Sequence, residues 1–144
     1  MSNNPQTIKA LNQLLQGEYM AVESFNNFIS KTENEKVEKC FKEVQEQHRE
    51  NIKTLASYIQ DIGGQPEENL GMKGKMAELM LNMELGSEID ATGVIEKAIE
   101  GETRGINSIE KVLRGKLDEK SRDLTGEILE KDRKSIDKLR NLKI

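Results

Sequence analysis

The chain has 144 residues, of which 33% are charged and 3% aromatic, with no tryptophan and a net charge of −4. Lys and Arg are interspersed among Asp and Glu, so there is no basic patch for nucleic acid, and no apolar run approaches the ~20 residues a membrane span requires. The opening MSNNPQTIKALNQ has neither signal nor transit character, and the single cysteine, Cys40, excludes an internal disulfide framework. A cytoplasmic protein with no nucleic-acid and no membrane partner is therefore expected. Apolar positions recur too regularly for disorder, and one domain over 1–144 with a single core is expected.

The spacing predicts a first helix from Pro5 to Ser30. Its apolar stripe is Ile8, Leu11, Leu15, Glu18, Val22, Phe25 and Ile29, a heptad seam with one glutamate inside it. Thr32 to Glu35 reads as a capping box for a second helix over 33–62. That helix carries Val37, Phe41, Val44, His48, Ile52, Leu55, Ile59 and Ile62, and Gly63-Gly64 with Pro66 stops it. So short a connection makes the first two helices antiparallel neighbours. Cys40 adjoins the core position Phe41 and has no His beside it, which predicts a half-buried, unreactive residue.

The connection over 63–87 is long and contains Met72, Met76, Met80 and Met83 at helical spacing. It reads as a helix-containing crossover running the length of a bundle. The methionines, with Leu79 and Leu81, exceed what one flank needs, and a homodimer contact is expected there. A third helix is predicted over 88–114, with Ile95, Ala98 or Ile99, Glu102, Ile106, Ile109 and Leu113 inward. Gly93, Gly101 and Gly105 in it point to close helix–helix approach, with room beside Glu102 as the alternative. Gly115 ends it and Asp118 caps a fourth helix over 119–142, carrying Leu124, Ile128, Asp132, Ile136, Leu139 and Leu142. Two hairpins, 5–62 and 88–142, joined by a crossover make an all-α four-helix bundle running up, down, down, up.

A shift of 84 positions superposes Glu43, Glu46, Arg49, Ile52 and Leu55 on Glu127, Glu130, Arg133, Ile136 and Leu139. The same shift carries Gly17-Glu18 onto Gly101-Glu102, so the chain reads as one helical hairpin written twice. Each helix has one ionisable residue inside its apolar stripe: Glu18, His48, Glu102 and Asp132. Counted from the hairpin loops, all four stand at one height near mid-bundle. Three carboxylates buried together repel one another and lose hydration. They need a cation, shared protons or a hydrogen-bonded partner. Three carboxylates and an imidazole form a mixed oxygen and nitrogen donor set suited to iron, manganese or zinc.

These residues, with the LNQLLQGEY opening, the QHRENIKTL segment and the GGQP helix end, resemble the ferritin-like superfamily. The chain is most similar to its small bacterial four-helix-bundle, rubrerythrin-like members of unknown function. The superfamily pattern of one Glu from each of two helices would fall on Glu18 and Glu102. Its Glu-x-x-His pairs would fall on Gln45-x-x-His48 and Leu129-x-x-Asp132. Gln45 and Leu129 stand where bridging carboxylates belong, so the resemblance implies a reduced site holding at most one divalent ion rather than a dinuclear ferroxidase. Two readings follow. One is a metal-binding protein of metal or oxidative-stress handling, with Glu18, His48, Glu102 and Asp132 as ligands. The other is a non-catalytic structural or interaction bundle, in which Glu18 pairs with His48 and Glu102 with Asp132 in a relic polar network.

Overall fold

The computed structural model describes residues 5–67 and 90–142. Within them lie helices α1 (Pro5–Lys31), α2 (Glu35–Asp61), α3 (Ala91–Leu113) and α4 (Glu119–Arg140). The segment proposed as a helical crossover and homodimer contact, Met72 to Met83, lies outside the described residues. Among the described residues, no helix is long and apolar enough to cross a membrane.

Helix ends follow local chemistry. The capping box expected at Thr32 is corrected: Asn34 is the cap, its Oδ1 accepting from the Lys36 and Val37 amides at 2.9 and 3.1 Å. Thr32 instead accepts from the Asn34 amide through Oγ1, at 3.4 Å. Asn is as good a cap as Thr and stands one residue before the helix, where its oxygen meets the free amides. At the far end of α2, Gly63 adopts φ 89°, and Gly64 donates to the Ile59 carbonyl at 2.8 Å. This reversal is open to glycine and strained for other residues. A Cβ on Gly64 would lie 2.9 Å from both Ile8 and Ile59, so the chain leaves α2 pressed against α1. Asn12 on α1 then holds the departing strand from both sides, donating to the Gln65 carbonyl and accepting from the Glu67 amide. Asp90 caps α3 and Asp118 caps α4.

Cross-helix pairs give the directions. His48 meets Glu18, and Gln45 meets Val22, so α1 and α2 run antiparallel. Tyr58 meets Ser121, Asn51 meets Asp132 and Glu43 meets Lys138, so α2 and α4 are also antiparallel. Arg133 meets Glu110 across the α3–α4 hairpin, and Arg122 clamps its turn by donating to the Leu113 and Gly115 carbonyls. Helices α2 and α3 are therefore parallel, the up, down, down, up order. The packing faces are α1–α2, α3–α4, α1–α3 and α2–α4, which places α2 diagonally across from α3.

The core falls into two apolar clusters. One holds Phe25, Phe28, Val37, Phe41, Val44, Val94, Ala98 and Leu139. Its phenylalanines meet edge to face, Phe25 lying 5.2 Å from Phe28 and 5.6 Å from Phe41 between ring centres. Cys40 is buried here, not half-buried, and burial pushes its thiol up, away from the reactive thiolate. The other cluster holds Leu11, Leu14, Leu15, Leu55, Tyr58, Ile59, Ile109, Ile128 and Leu129. On every helix, the polar position found in the sequence lies between a residue of one cluster and a residue of the other.

Gly101 and Gly105 do not mark a close approach between the described helices. Among the described residues, a Cβ on either would have nothing within 4 Å. Both are helix-interior glycines with open space beside them, so Gly101→Ala and Gly105→Ala should each stabilise the protein by about 1 kcal/mol. A thermal melt should rise by roughly 2–4 °C per substitution. A fall would show that another surface packs on this face.

Candidate metal centre

Four buried ionisable side chains meet in the layer between the clusters. Glu18, His48, Glu102 and Asp132 are all at most 5% exposed. The helical register explains the meeting: each replaces an apolar residue in an inward stripe, and the antiparallel pairs put all four at one height. The imidazole of His48 is central. Its Nδ1 lies 2.7 Å from Glu18 Oε1, and its Nε2 lies 2.5 Å from Glu102 Oε1. Asp132 Oδ1 is 3.8 Å from Nδ1, on the Glu18 side of the ring. Phe25 flanks the imidazole at 6.1 Å between ring centres, adding apolar surface beside the layer.

The pairing differs from the two separate pairs expected. His48 bridges Glu18 and Glu102, and Asp132 joins Glu18 rather than Glu102. Helices α2 and α3 are diagonal, so a ring reaching inward from α2 spans the bundle axis and presents a nitrogen to each side. Asn51, absent from the expected set, completes the layer. Its amide nitrogen lies 2.9 Å from both Glu18 Oε1 and Asp132 Oδ1. A polar side chain one turn beyond His48 on the same face was the available signal. Gln45 turns away from the layer, donating to the Val22 carbonyl and the Asn26 side chain at 2.9 and 2.8 Å. Leu129 packs in the second apolar cluster. Neither position therefore offers a carboxylate to the layer.

Charge is distributed unevenly. Burial on its own would push the Glu18 carboxyl up, but the charge and hydrogen bond of His48 outweigh it and hold Glu18 below its ordinary value. Burial likewise disfavours the His48 imidazolium, yet Glu18 and Glu102 hold its pKa well above the usual one. Asp132 is pushed up to about 9, by burial first and then by the charge of Glu18. These shifts favour an imidazolium between Glu18 and Glu102, and the protonated form of Asp132 beside Glu18.

Ligand atoms from Glu18, His48 and Asp132 all lie within 4.8 Å of one another. Nδ1 faces the Glu18 and Asp132 oxygens, while Nε2 is held from behind by Glu102. A metal-binding histidine commonly has this form, one nitrogen toward the ion and the other donating to a carboxylate that orients the ring. The donors present therefore fit a divalent cation, and Glu102 stands behind the ring rather than within the convergent trio.

The family model described as Domain of unknown function (DUF2383) matches residues 6–115. A solved structure of the bacterioferritin-related protein from Bacteroides fragilis, described as a dodecameric thioferritin, superposes with a TM-score of 0.74 at 18% identity. The match covers 95% of this chain and 83% of that one, and gives this chain a ferritin-like fold. No curated protein matches.

Proposed function

The chain belongs to the DUF2383 family, and from that premise we propose that its ferritin-like bundle binds one divalent cation, in the service of metal or oxidative-stress handling. The observation that carries the reading is the convergence of Glu18, His48 and Asp132 in a buried layer, with Glu102 orienting the imidazole. When bound, iron, manganese or zinc would supply Lewis acidity, and iron or manganese a redox couple as well. The side chains must release protons to accept the ion. His48 gives up the proton on Nδ1 and keeps the one on Nε2 against Glu102, while Asp132 gives up its carboxyl proton. Affinity should therefore rise roughly tenfold per pH unit for each proton displaced. Three carboxylates with a neutral imidazole sum to −3, so one divalent ion leaves −1 and a second would leave +1. With Gln45 and Leu129 turned elsewhere, no further carboxylate among the described residues is placed to bridge a second ion.

The measurement is a thermal melt of chelated protein, titrated anaerobically with iron(II), manganese(II) or zinc(II). One equivalent should bind, stabilising by about 2.7 kcal/mol at a hundredfold excess over the dissociation constant. His48→Ala should abolish the effect. Two equivalents with rapid iron(II) oxidation would overturn the single-ion reading. No shift with any of the three ions would favour the second reading, a structural or interaction bundle whose layer is a self-sufficient polar network. One observation supports that alternative: both nitrogens of His48 and the amide of Asn51 already have protein partners.

A further inference from the structure

Asn51 is 1% exposed and lies against the site from α2 without belonging to the convergent trio. Its single amide nitrogen donates to Glu18 on α1 and to Asp132 on α4, each at 2.9 Å. Helices α1 and α4 are diagonal in the bundle and form no extensive packing face among the described residues. Direct packing of those two helices therefore does little to set the separation of their carboxylates. The two N–H groups of one planar amide diverge at a set angle, so they can set it instead. The amide is itself held. Gln47, one turn earlier, donates to Asn51 Oδ1 at 3.0 Å, which fixes the carbonyl outward and the nitrogen toward the site.

We propose that Asn51, locked by Gln47, is the positioning residue of this layer: it sets the distance between the Glu18 and Asp132 oxygens, and with it the affinity and coordination geometry for a divalent cation. The inference rests on the metal-binding reading above and adds the residue that shapes the site. Asn51 contributes no metal ligand of its own. It acts on the two oxygens through their remaining lone pairs, as outer-shell partners do in metal sites, where losing one lowers affinity by about 10–100-fold.

The probe is cobalt(II), whose visible absorption reports coordination geometry. Three proteins are compared at one pH after chelation: wild type, Asn51→Leu and Gln47→Ala. Leucine keeps the branched shape and heavy-atom count of asparagine, at a larger volume, while removing both donors. Gln47→Ala lies at a half-buried position and should leave the fold intact. Asn51→Leu should weaken cobalt(II) about 10–100-fold and change the position or intensity of the visible bands. Gln47→Ala, by freeing the amide to turn, should move both readouts in the same direction by a smaller amount. Wild type that binds cobalt(II), with both variants binding within twofold and giving an unchanged spectrum, would overturn the role of Asn51 alone. Wild type that binds none would overturn the metal-binding reading together with it. If circular dichroism shows Asn51→Leu unfolded, Gln47→Ala decides: a weakened and shifted spectrum supports the assignment, and an unchanged one overturns it.

Discussion

Replacing His48 with alanine in the metal-free protein is expected to lower the unfolding free energy by about 3–5 kcal/mol, the range for removing one partner of a buried charge pair. The imidazolium lies 2.7 Å from Glu18 and 2.5 Å from Glu102, and all three side chains are nearly inaccessible. Without it, two carboxyl groups are left unpaired in a buried layer between apolar clusters. They must then bind protons or draw in water, and the void left by the ring adds to the loss. A urea titration at neutral pH with chelator present measures this directly. Adding Glu18→Gln and Glu102→Gln should restore part of the stability, because the three groups act together and their losses do not add. A loss below about 1 kcal/mol would mean that the layer is hydrated and its charges screened.

Raising the pH from 6 to 9 should destabilise the metal-free protein, and the sign follows from the shifts. Asp132 has a folded value of about 9 against an ordinary 3.8. The folded state therefore retains a proton that the unfolded chain releases, and stability falls throughout that window. The folded value of His48 is raised from 6.5. Its contribution is complete below pH 6.5 and is lost as pH rises through the folded value. Glu18 behaves oppositely: depressed from 4.5, it contributes above that pH and loses its contribution only in acid. One retained proton corresponds to about 1.4 kcal/mol per pH unit, or roughly 3–6 °C in melting temperature per unit for a domain of this size. Asp132→Asn, neutral at every pH, should flatten the profile. A wild-type melting temperature constant between pH 6 and 8.5 would show that Asp132 is ionised in the folded protein.

Much of this was present in the order of residues. Apolar spacings of three and four set the inward face of each helix, and Gly63-Gly64 and Asp118 marked ends that the structure keeps. Glu18, His48, Glu102 and Asp132 interrupted those faces, and counting from two short loops placed them at one height. Such inferences succeed because helical geometry is local: rise and rotation per residue are constant, so sequence distance becomes axial height and facing. The start of α2 was misplaced by two residues because Thr32 and Asn34 are both competent caps, and only the backbone selects between them. Who pairs with whom in the layer was decided by tertiary structure. The imidazole of His48 spans diagonal helices, Asp132 turns to Glu18, Asn51 enters from the edge of its stripe, and the Gln45 amide is taken by the Val22 carbonyl. These choices depend on which helices share a face and on which side-chain directions leave no buried donor unpaired. Spacing along one helix specifies neither, because both arise only when four helices close around a common interior.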